Sequence, residues 1–140
     1  MTKQIKLVLD TNLFIAAHFN KKSASAKIID LCLADRFKVY AAESLFKELE
    51  FILKNIRAPL TYKEKIYQLF NKANLVKPKK IWLVEEDPDD NKFLGTSLSA
   101  KADYLLTNDR HLLKIKKFNK TRIIKPIDFL ANIVKKGKNY

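Results

Sequence analysis

The sequence has little cysteine, glycine or proline: one Cys, two Gly and four Pro among 140 residues. A single thiol cannot form an intramolecular disulfide or a cysteine-based zinc cluster, which favours a reducing, cytoplasmic setting. We interpret Cys32, which lies in an apolar stretch, as a small buried residue rather than a catalytic thiol. The two isolated glycines, Gly95 and Gly137, exclude a glycine-rich phosphate loop and a flexible linker.

Long hydrophobic runs are also lacking. The apolar run at Leu7 to Leu9 stops at Asp10, which is too short for a signal peptide, and no stretch approaches the length of a membrane span. We therefore expect no membrane association. The 47% of apolar residues excludes a disordered chain. We expect one domain over residues 1–134, followed by a basic C-terminal tail at residues 135–140.

Acidic residues are outnumbered by basic ones. The chain has 28 Lys and Arg, 24 of them lysine, against 15 Asp and Glu, which gives a formal net charge of +13. This excess indicates a polyanionic partner such as nucleic acid. The alternative is that the lysines only keep the protein soluble. The charge does not distinguish binding from catalysis.

Short β-like runs alternate with longer helical ones. Such alternation in one short chain predicts an α/β fold with a parallel sheet of about five strands, covered by helices on both faces. In sheets of this kind, ligands bind beyond the carboxyl ends of the strands, near the point where the strand order reverses. The predicted strands lie at residues 5–9, 37–41, 81–84, 103–107 and 122–124. The predicted helices lie at residues 12–18, 24–33, 44–56, 88–100 and 109–113, with one more after an N-cap at Thr61 and one from Pro126.

Two aspartates follow predicted strands. Asp10 stands directly after Lys-Leu-Val-Leu, and Asp109 stands two residues past Leu-Leu-Thr. Each could simply cap the next helix. However, both fall where an open α/β sheet places its chemistry, and each belongs to a cluster of Asp, Thr and Asn. Asn12, Thr107 and Asn108 could orient the carboxylates or bind water, although capping explains these three nearly as well.

Further candidate carboxylates lie on predicted helices. At about 100° per residue, Asp90 lies within roughly 20° of the centre of its helix's apolar stripe, whereas Asp89 lies about 120° away and Asp87 is placed to cap the helix. Asp90 is therefore the functional candidate in this run. On the helix of residues 44–56, Glu48 lies about 85° from the apolar centre and Glu50 about 115°, so periodicity favours Glu48 only weakly.

A divalent cation would reconcile several carboxylates at one site, because unpaired carboxylates repel one another. Oxygen ligands suit Mg²⁺ or Mn²⁺, which can generate hydroxide from water and stabilise a phosphodiester under in-line attack. The lysines would hold the rest of the polyanion through its phosphates. A phosphatase or receiver-like domain would need a second aspartate soon after Asp10. His18 and His111 lack metal-ligand spacing.

Four motifs resemble the PIN domain, and more closely the PIN-family toxins of prokaryotic toxin–antitoxin systems. The resemblance spans essentially the whole chain and keeps the motif order. It rests on the stretches Val8-Leu9-Asp10-Thr11-Asn12, Phe46-Lys47-Glu48-Leu49, Asp87-Pro88-Asp89-Asp90-Asn91-Lys92-Phe93 and Ala102-Asp103-Tyr104-Leu105-Leu106-Thr107-Asn108-Asp109.

The resemblance implies an endoribonuclease that depends on Mg²⁺ or Mn²⁺, frequent homodimers and inhibition by a small antitoxin protein. Asp10, Glu48, Asp90 and Asp109 would form the acidic quartet, which settles Glu48 over Glu50. Asp10, Asp90 and Asp109 would bind the metal, with polar support from Asn12, Thr107 and Asn108. The alternative is a non-catalytic RNA-binding module that keeps the fold.

Overall fold

The computed structural model describes residues 4–80 and 88–135, without the side chains of residues 88–90. Strands and helices alternate along this part of the chain. The strands are β1 Lys6–Leu9, β2 Lys38–Ala42, β3 Asn74–Val76, β4 Tyr104–Leu106, β5 Lys117–Phe118 and β6 Thr121–Ile124. The helices are α1 Thr11–Phe19, α2 Ala24–Leu33, α3 Glu43–Asn55, α4 Leu60–Lys72, α5 Pro88–Ala100, α6 Arg110–Leu113 and α7 Pro126–Phe129, and a π-helical segment Leu130–Val134 continues α7.

One sheet with the order β3-β2-β1-β4-β6-β5 joins the described strands. All neighbouring strands are parallel except the β5–β6 pair, which is antiparallel. The strand order reverses between β1 and β4. The strands β1, β2 and β3 follow one another toward one edge of the sheet, whereas β4 lies on the opposite side of β1. The predicted α/β fold with a mostly parallel sheet is therefore confirmed, and the position between β1 and β4 is its switch point.

The centre of the sheet is buried on both faces. Leu7, Val8 and Leu9 are consecutive in β1, so their side chains alternate between the faces, and all three are buried. A strand with this pattern needs cover on both sides, as in α/β proteins generally. Helix α5 provides part of the cover, since it lies against β1, β2 and β4.

The prediction of about five strands missed two short edge strands. The strand expected at residues 81–84 lies outside the described residues. The third strand of the described chain is instead β3, a three-residue edge strand that pairs with β2. β5 is a two-residue strand joined to β6 by a tight turn, in which Asn119 adopts a φ of 54°. Strands this short have no periodicity that a pattern could reveal.

The predicted N-cap at Thr61 is wrong by two residues. Helix α4 begins at Leu60, and Pro59 occupies the N-cap position without a side-chain hydrogen bond. The carbonyl of Pro59 accepts hydrogen bonds from the backbone N–H groups of Tyr62 and Lys63. Thr61 therefore lies inside the first turn, where its backbone is already helical. No helix in the described residues is long and apolar enough to cross a lipid bilayer.

The scarcity of glycine shows at the helix ends. Helices α2, α3, α5 and α6 are each followed by a non-glycine residue with a left-handed φ between 53° and 67°: Asp35, Arg57, Lys101 and Lys116. Glycine is the usual residue at this position, because a Cβ atom strains the left-handed conformation. The chain therefore tolerates a small strain at several helix ends.

Candidate active site at the switch point of the sheet

The register of β1 and β4 brings Asp10 next to Thr107. Leu9 pairs with Leu106, so the residues that follow each strand meet at the carboxyl edge. The backbone N–H of Asp10 donates to the carbonyl of Leu106 at 3.1 Å. The backbone N–H of Thr107 in turn donates to the carbonyl of Ile124, also at 3.1 Å. Both residues are thus fixed by the sheet itself.

The carboxylate of Asp10 is buried, with 4% of the residue exposed. Its Oδ1 atom accepts a hydrogen bond from the backbone N–H of Asn12 at 3.2 Å, which makes Asp10 the N-cap of α1. Its Oδ2 atom accepts a bond of 2.6 Å from the hydroxyl of Thr107. Capping of α1 therefore explains the hydrogen bond to Oδ1 of Asp10. It does not explain the bond between the buried side chains of Asp10 and Thr107.

Thr107 connects Asp10 to Asp109. Thr107 is fully buried, and its Oγ1 atom also accepts a hydrogen bond from the backbone N–H of Asp109 at 3.0 Å. The Oδ1 atom of Asp109 accepts from the backbone N–H of His111 at 2.8 Å, so this residue caps α6. Asp109 is partly exposed. One hydroxyl therefore binds the carboxylate of Asp10, which follows β1, and the backbone of Asp109, which follows β4.

Glu48 also lies toward the carboxyl edge, on a different element. Helix α3 follows β2 directly, so its first turns lie near the carboxyl end of that strand. The Oε1 atom of Glu48 is 2.6 Å from the ammonium nitrogen of Lys92 on α5. The Glu48 side chain is 44% exposed and that of Lys92 is 22% exposed. Glu50 is exposed as well, without an ion pair among the described residues.

The other candidate residues are described in part. Asp90 lies in the first turn of α5, and its side chain is outside the described part of the structure. Asn12 and Asn108 are exposed, and Asn12 contributes its backbone N–H to Asp10. Within the described side chains, no three Asp, Glu, His or Cys residues come together as a metal-binding group. Asp10, Thr107 and Asp109 are thus brought together, whereas Glu48 pairs with Lys92.

Lys92, the ion-pair partner of Glu48, is a neighbour that reasoning from the sequence does not identify. It belongs to the stretch Asp90-Asn91-Lys92-Phe93, and its residue type does not distinguish it from the other lysines among the 24. The signal that could have found it is its place two residues after a candidate acid, in a helix that begins near the same edge of the sheet.

Gly95 in α5 allows the segment that follows β3 to pack closely against the helix. The backbone N–H of Lys79 donates to the carbonyl of Gly95 at 3.1 Å. A Cβ atom at Gly95 would lie 2.1 Å from the carbonyl oxygen of Lys79, which is a severe overlap with backbone. The Ser99 hydroxyl also donates to the carbonyl of Lys77, at 2.5 Å. The residues that follow β3 are therefore held against α5.

The donor set at the switch point suits a hard divalent cation. Carboxylate and hydroxyl oxygens are the ligands that Mg²⁺ and Mn²⁺ prefer. A carboxylate oxygen has two lone pairs, so it can accept a hydrogen bond and still bind a cation. The single cysteine lies elsewhere, and burial raises the pKa of its thiol to about 12. Cys32 is buried, as the sequence predicted, and it is a poor candidate for a metal-binding or nucleophilic thiolate.

A second concave region lies away from Asp10, toward the far end of α1. A cavity of about 330 Å³ is lined by residues of α1, α2 and α4, among them His18 and Tyr62. The Tyr62 hydroxyl donates to the carbonyl of Phe14, and burial raises the pKa of Tyr62. His18 and Asp10 are separated by about 12 Å of helix. The cavity therefore does not share the carboxylates of the candidate site.

A mostly parallel α/β sheet with a buried aspartate at its switch point is typical of proteins that bind their ligand at that edge. The comparisons with known proteins identify the family. Residues 6–111 match the family model of the PIN domain, so the chain belongs to the PIN-domain family. It is also 30% identical over 123 residues to an uncharacterized protein of Methanocaldococcus jannaschii, an alignment that covers 84% of this chain and 79% of that protein. PIN domains are generally nucleases, and RNA is the substrate that the family suggests.

Proposed function

We propose that the protein is a metal-dependent endoribonuclease. The observation that carries the proposal is the buried Asp10 carboxylate, bonded at 2.6 Å to the Thr107 hydroxyl, which also accepts from the backbone N–H of Asp109. Burying a carboxylate is unfavourable, because the carboxylate loses its hydration, unless hydrogen bonds or an opposite charge replace the water. Neighbouring acids at the switch point of a chain with a net charge of +13 suit a cation-assisted reaction on a polyanion.

Each residue has a distinct role in the proposal. Asp10, Asp90 and Asp109 would hold Mg²⁺ or Mn²⁺, and Thr107 binds the carboxylate of Asp10 and the backbone N–H of Asp109. Asn12 supports Asp10 through its backbone N–H, Asn108 lies between Thr107 and Asp109, and Glu48 is the fourth acid. When bound, the cation lowers the pKa of water and stabilises negative charge on the phosphodiester. The chain's own contribution is to hold the carboxylates in place before RNA arrives.

The experiment that tests the proposal compares the purified protein with Asp10→Asn on end-labelled single-stranded RNA. The RNA is incubated with Mn²⁺, with Mg²⁺ and with EDTA. We expect cleavage only with metal, and a rate at least about 10³-fold lower in the variant, because metal assistance supplies several kcal/mol of transition-state stabilisation. Circular dichroism checks that the variant folds, since asparagine can still cap α1.

The outcomes separate the enzyme from a binding module. A variant that cleaves as fast as the natural protein would contradict the role of Asp10. RNA that stays intact with the natural protein, although Mn²⁺ binds, would point to a different substrate. RNA that is bound but not cleaved, without metal binding, would favour a non-catalytic RNA-binding PIN module.

The biological role that we propose is that of a toxin inhibited by a small antitoxin, acting as a homodimer in the cytoplasm. The support is the resemblance of its four motifs, in order, to PIN-family toxins. The catalytic domain would extend over residues 1–134, and the basic residues 135–140 would form a tail. Size-exclusion chromatography with light scattering tests the dimer. Arrested growth on expression, which Asp10→Asn should relieve, tests the toxin role.

A further inference from the structure

The ion pair between Glu48 and Lys92 joins two helices that both begin at the carboxyl edge of the sheet. Helix α3 starts directly after β2. Helix α5 leads into the amino end of β4, and a helix that precedes a parallel strand runs back along the sheet, so it starts near the carboxyl ends. The pair is therefore on the same edge as Asp10 and Thr107.

The geometry of the pair orients the Lys92 ammonium. Its nitrogen is 2.6 Å from Glu48 Oε1, and only 22% of the Lys92 side chain is exposed although lysine is normally solvated. A partly exposed ion pair adds little to stability. It does fix the end of a flexible four-carbon side chain in one direction. The pair therefore orients the Lys92 ammonium while contributing little to the free energy of folding.

An ammonium group has three N–H donors. Within the described residues, Glu48 accepts a hydrogen bond from one of the three donors of Lys92. A lysine held in this way beside a nuclease site can bind a phosphate with the remaining donors. Glu48, in turn, shares its negative charge with Lys92 and is correspondingly less suited to bind a second cation.

We propose that Lys92 binds a phosphate of the RNA beside the cleavage site, and that Glu48 is a positioning residue that holds the Lys92 ammonium rather than a metal ligand. The inference rests on the proposed ribonuclease function and gives the fourth acid of the site a role toward the substrate. It also separates the acids by task, since Asp10, Asp90 and Asp109 act on the metal and Glu48 acts through Lys92.

The test compares Lys92→Met, Lys92→Arg and Glu48→Gln in the full chain. Lys65→Met is the matched control, since Lys65 on α4 forms an ion pair with Asp30 on α2. Binding of a fluorescent single-stranded RNA is measured by anisotropy in EDTA, where cleavage cannot occur, at several salt concentrations. Mn²⁺ affinity is measured separately without RNA, and thermal denaturation shows that each variant folds.

We expect Lys92→Met to weaken RNA binding about tenfold, because it removes a charged hydrogen bond. The slope of log affinity against log salt should fall by about 0.7, the value for one phosphate contact on a single strand. Glu48→Gln should weaken RNA binding about threefold, as expected for loss of an ion pair. Lys92→Arg should keep most of the affinity. Mn²⁺ affinity should stay unchanged in all of these variants, and Lys65→Met should bind RNA like the natural protein.

Three results would overturn the proposal. A loss of Mn²⁺ affinity in Glu48→Gln would make Glu48 a metal ligand. If Lys92→Met binds RNA with the affinity and salt slope of the natural protein, the ion pair between Glu48 and Lys92 only joins the two helices. An equal loss of RNA affinity in Lys65→Met would mean that the contribution to RNA binding is not specific to Lys92. If the natural protein binds RNA through Lys92 but does not cleave it in Mn²⁺, the ribonuclease function fails while this phosphate contact stands.

Discussion

The two edges of the sheet formed by β1, β4 and β6 carry the same residue types and use them differently. At the carboxyl edge, the buried Thr107 donates to the buried Asp10 carboxylate, a bond between two side chains. At the amino edge, the buried Thr121 donates at 2.6 Å to the backbone carbonyl of Ala102. One threonine therefore orients a carboxylate, and the other one fastens a loop to a strand.

The two aspartates differ in the same way. Asp103, at the amino edge, accepts from the backbone N–H of Lys6 at 2.8 Å and lies 3.2 Å from the ammonium nitrogen of Lys120. Its side chain is 34% exposed, whereas Asp10 is almost fully buried. The contacts of Asp103 join neighbouring strands at the surface. Those of Asp10 fix a carboxylate where an α/β sheet binds its ligand, so burial and partner type distinguish a candidate site from a structural contact.

The largest effect in this comparison should come from Thr107→Val, which removes the hydroxyl and keeps the shape. We expect RNA cleavage to fall about a hundredfold, because the Asp10 carboxylate and the Asp109 backbone lose the hydroxyl that binds both of them. The free energy of unfolding should fall by about 2 kcal/mol, since a hydrogen bond to a buried carboxylate is lost. Single-turnover cleavage and urea denaturation measure the two effects.

Thr107→Ser is the matched control, because it keeps the hydroxyl and loses only a methyl group. It should recover most of the cleavage rate. If Thr107→Val cleaves RNA at the natural rate, the link between Asp10 and Asp109 has no functional weight, and the difference between the two edges is structural alone.

The equivalent change at the amino edge, Thr121→Val, should affect stability without affecting catalysis. Losing the hydrogen bond to the Ala102 carbonyl should lower the free energy of unfolding by about 1 kcal/mol. The cleavage rate at saturating RNA should remain natural. A loss of cleavage comparable to that of Thr107→Val would break the comparison, because both threonines would then act through general stability.

Asp103→Asn should have a smaller effect. The asparagine oxygen can still accept from the Lys6 N–H, so the main loss is the ion pair with Lys120. An exposed pair of this kind contributes less than about 1 kcal/mol. The difference from the natural protein should shrink at high salt, where surface charges are screened. A large loss of cleavage in this variant, at natural stability, would place a functional carboxylate at the wrong edge of the sheet.

The meeting of Asp10 and Thr107 could be predicted from the sequence. Both residues directly follow apolar runs, and the carboxyl ends of parallel strands share one edge. The sequence could not predict which side-chain atoms bond, and the link from the Thr107 hydroxyl to the Asp109 backbone came from the structure.

The pairing of Glu48 with Lys92 could not be predicted, for a different physical reason. The angles around α3 favoured Glu48 over Glu50 only weakly, and they say nothing about which residue of another helix comes near. A chain with 24 lysines offers many possible partners for each acid. Only the packing of α5 against the sheet selects Lys92. The strand β3 escaped prediction because its pairing depends on the neighbouring β2 and not on its own three residues.

The smallest expected effect is a gain in stability at the amino edge, from Lys101→Gly. Lys101 follows α5 with a φ of 53°, and its N–H donates to the carbonyl of Leu98. Glycine would remove a left-handed strain of about 1–2 kcal/mol at an entropic cost of about 0.5–1 kcal/mol, so the free energy of unfolding should rise by about 0.5 kcal/mol.

Lys114→Gly is the matched control, because Lys114 has a right-handed φ of −61°. There, glycine should instead lower the free energy of unfolding by up to about 1 kcal/mol. Urea denaturation of both variants measures the signs, and a loss of stability in Lys101→Gly would mean that the lysine side chain makes a contact worth more than the strain.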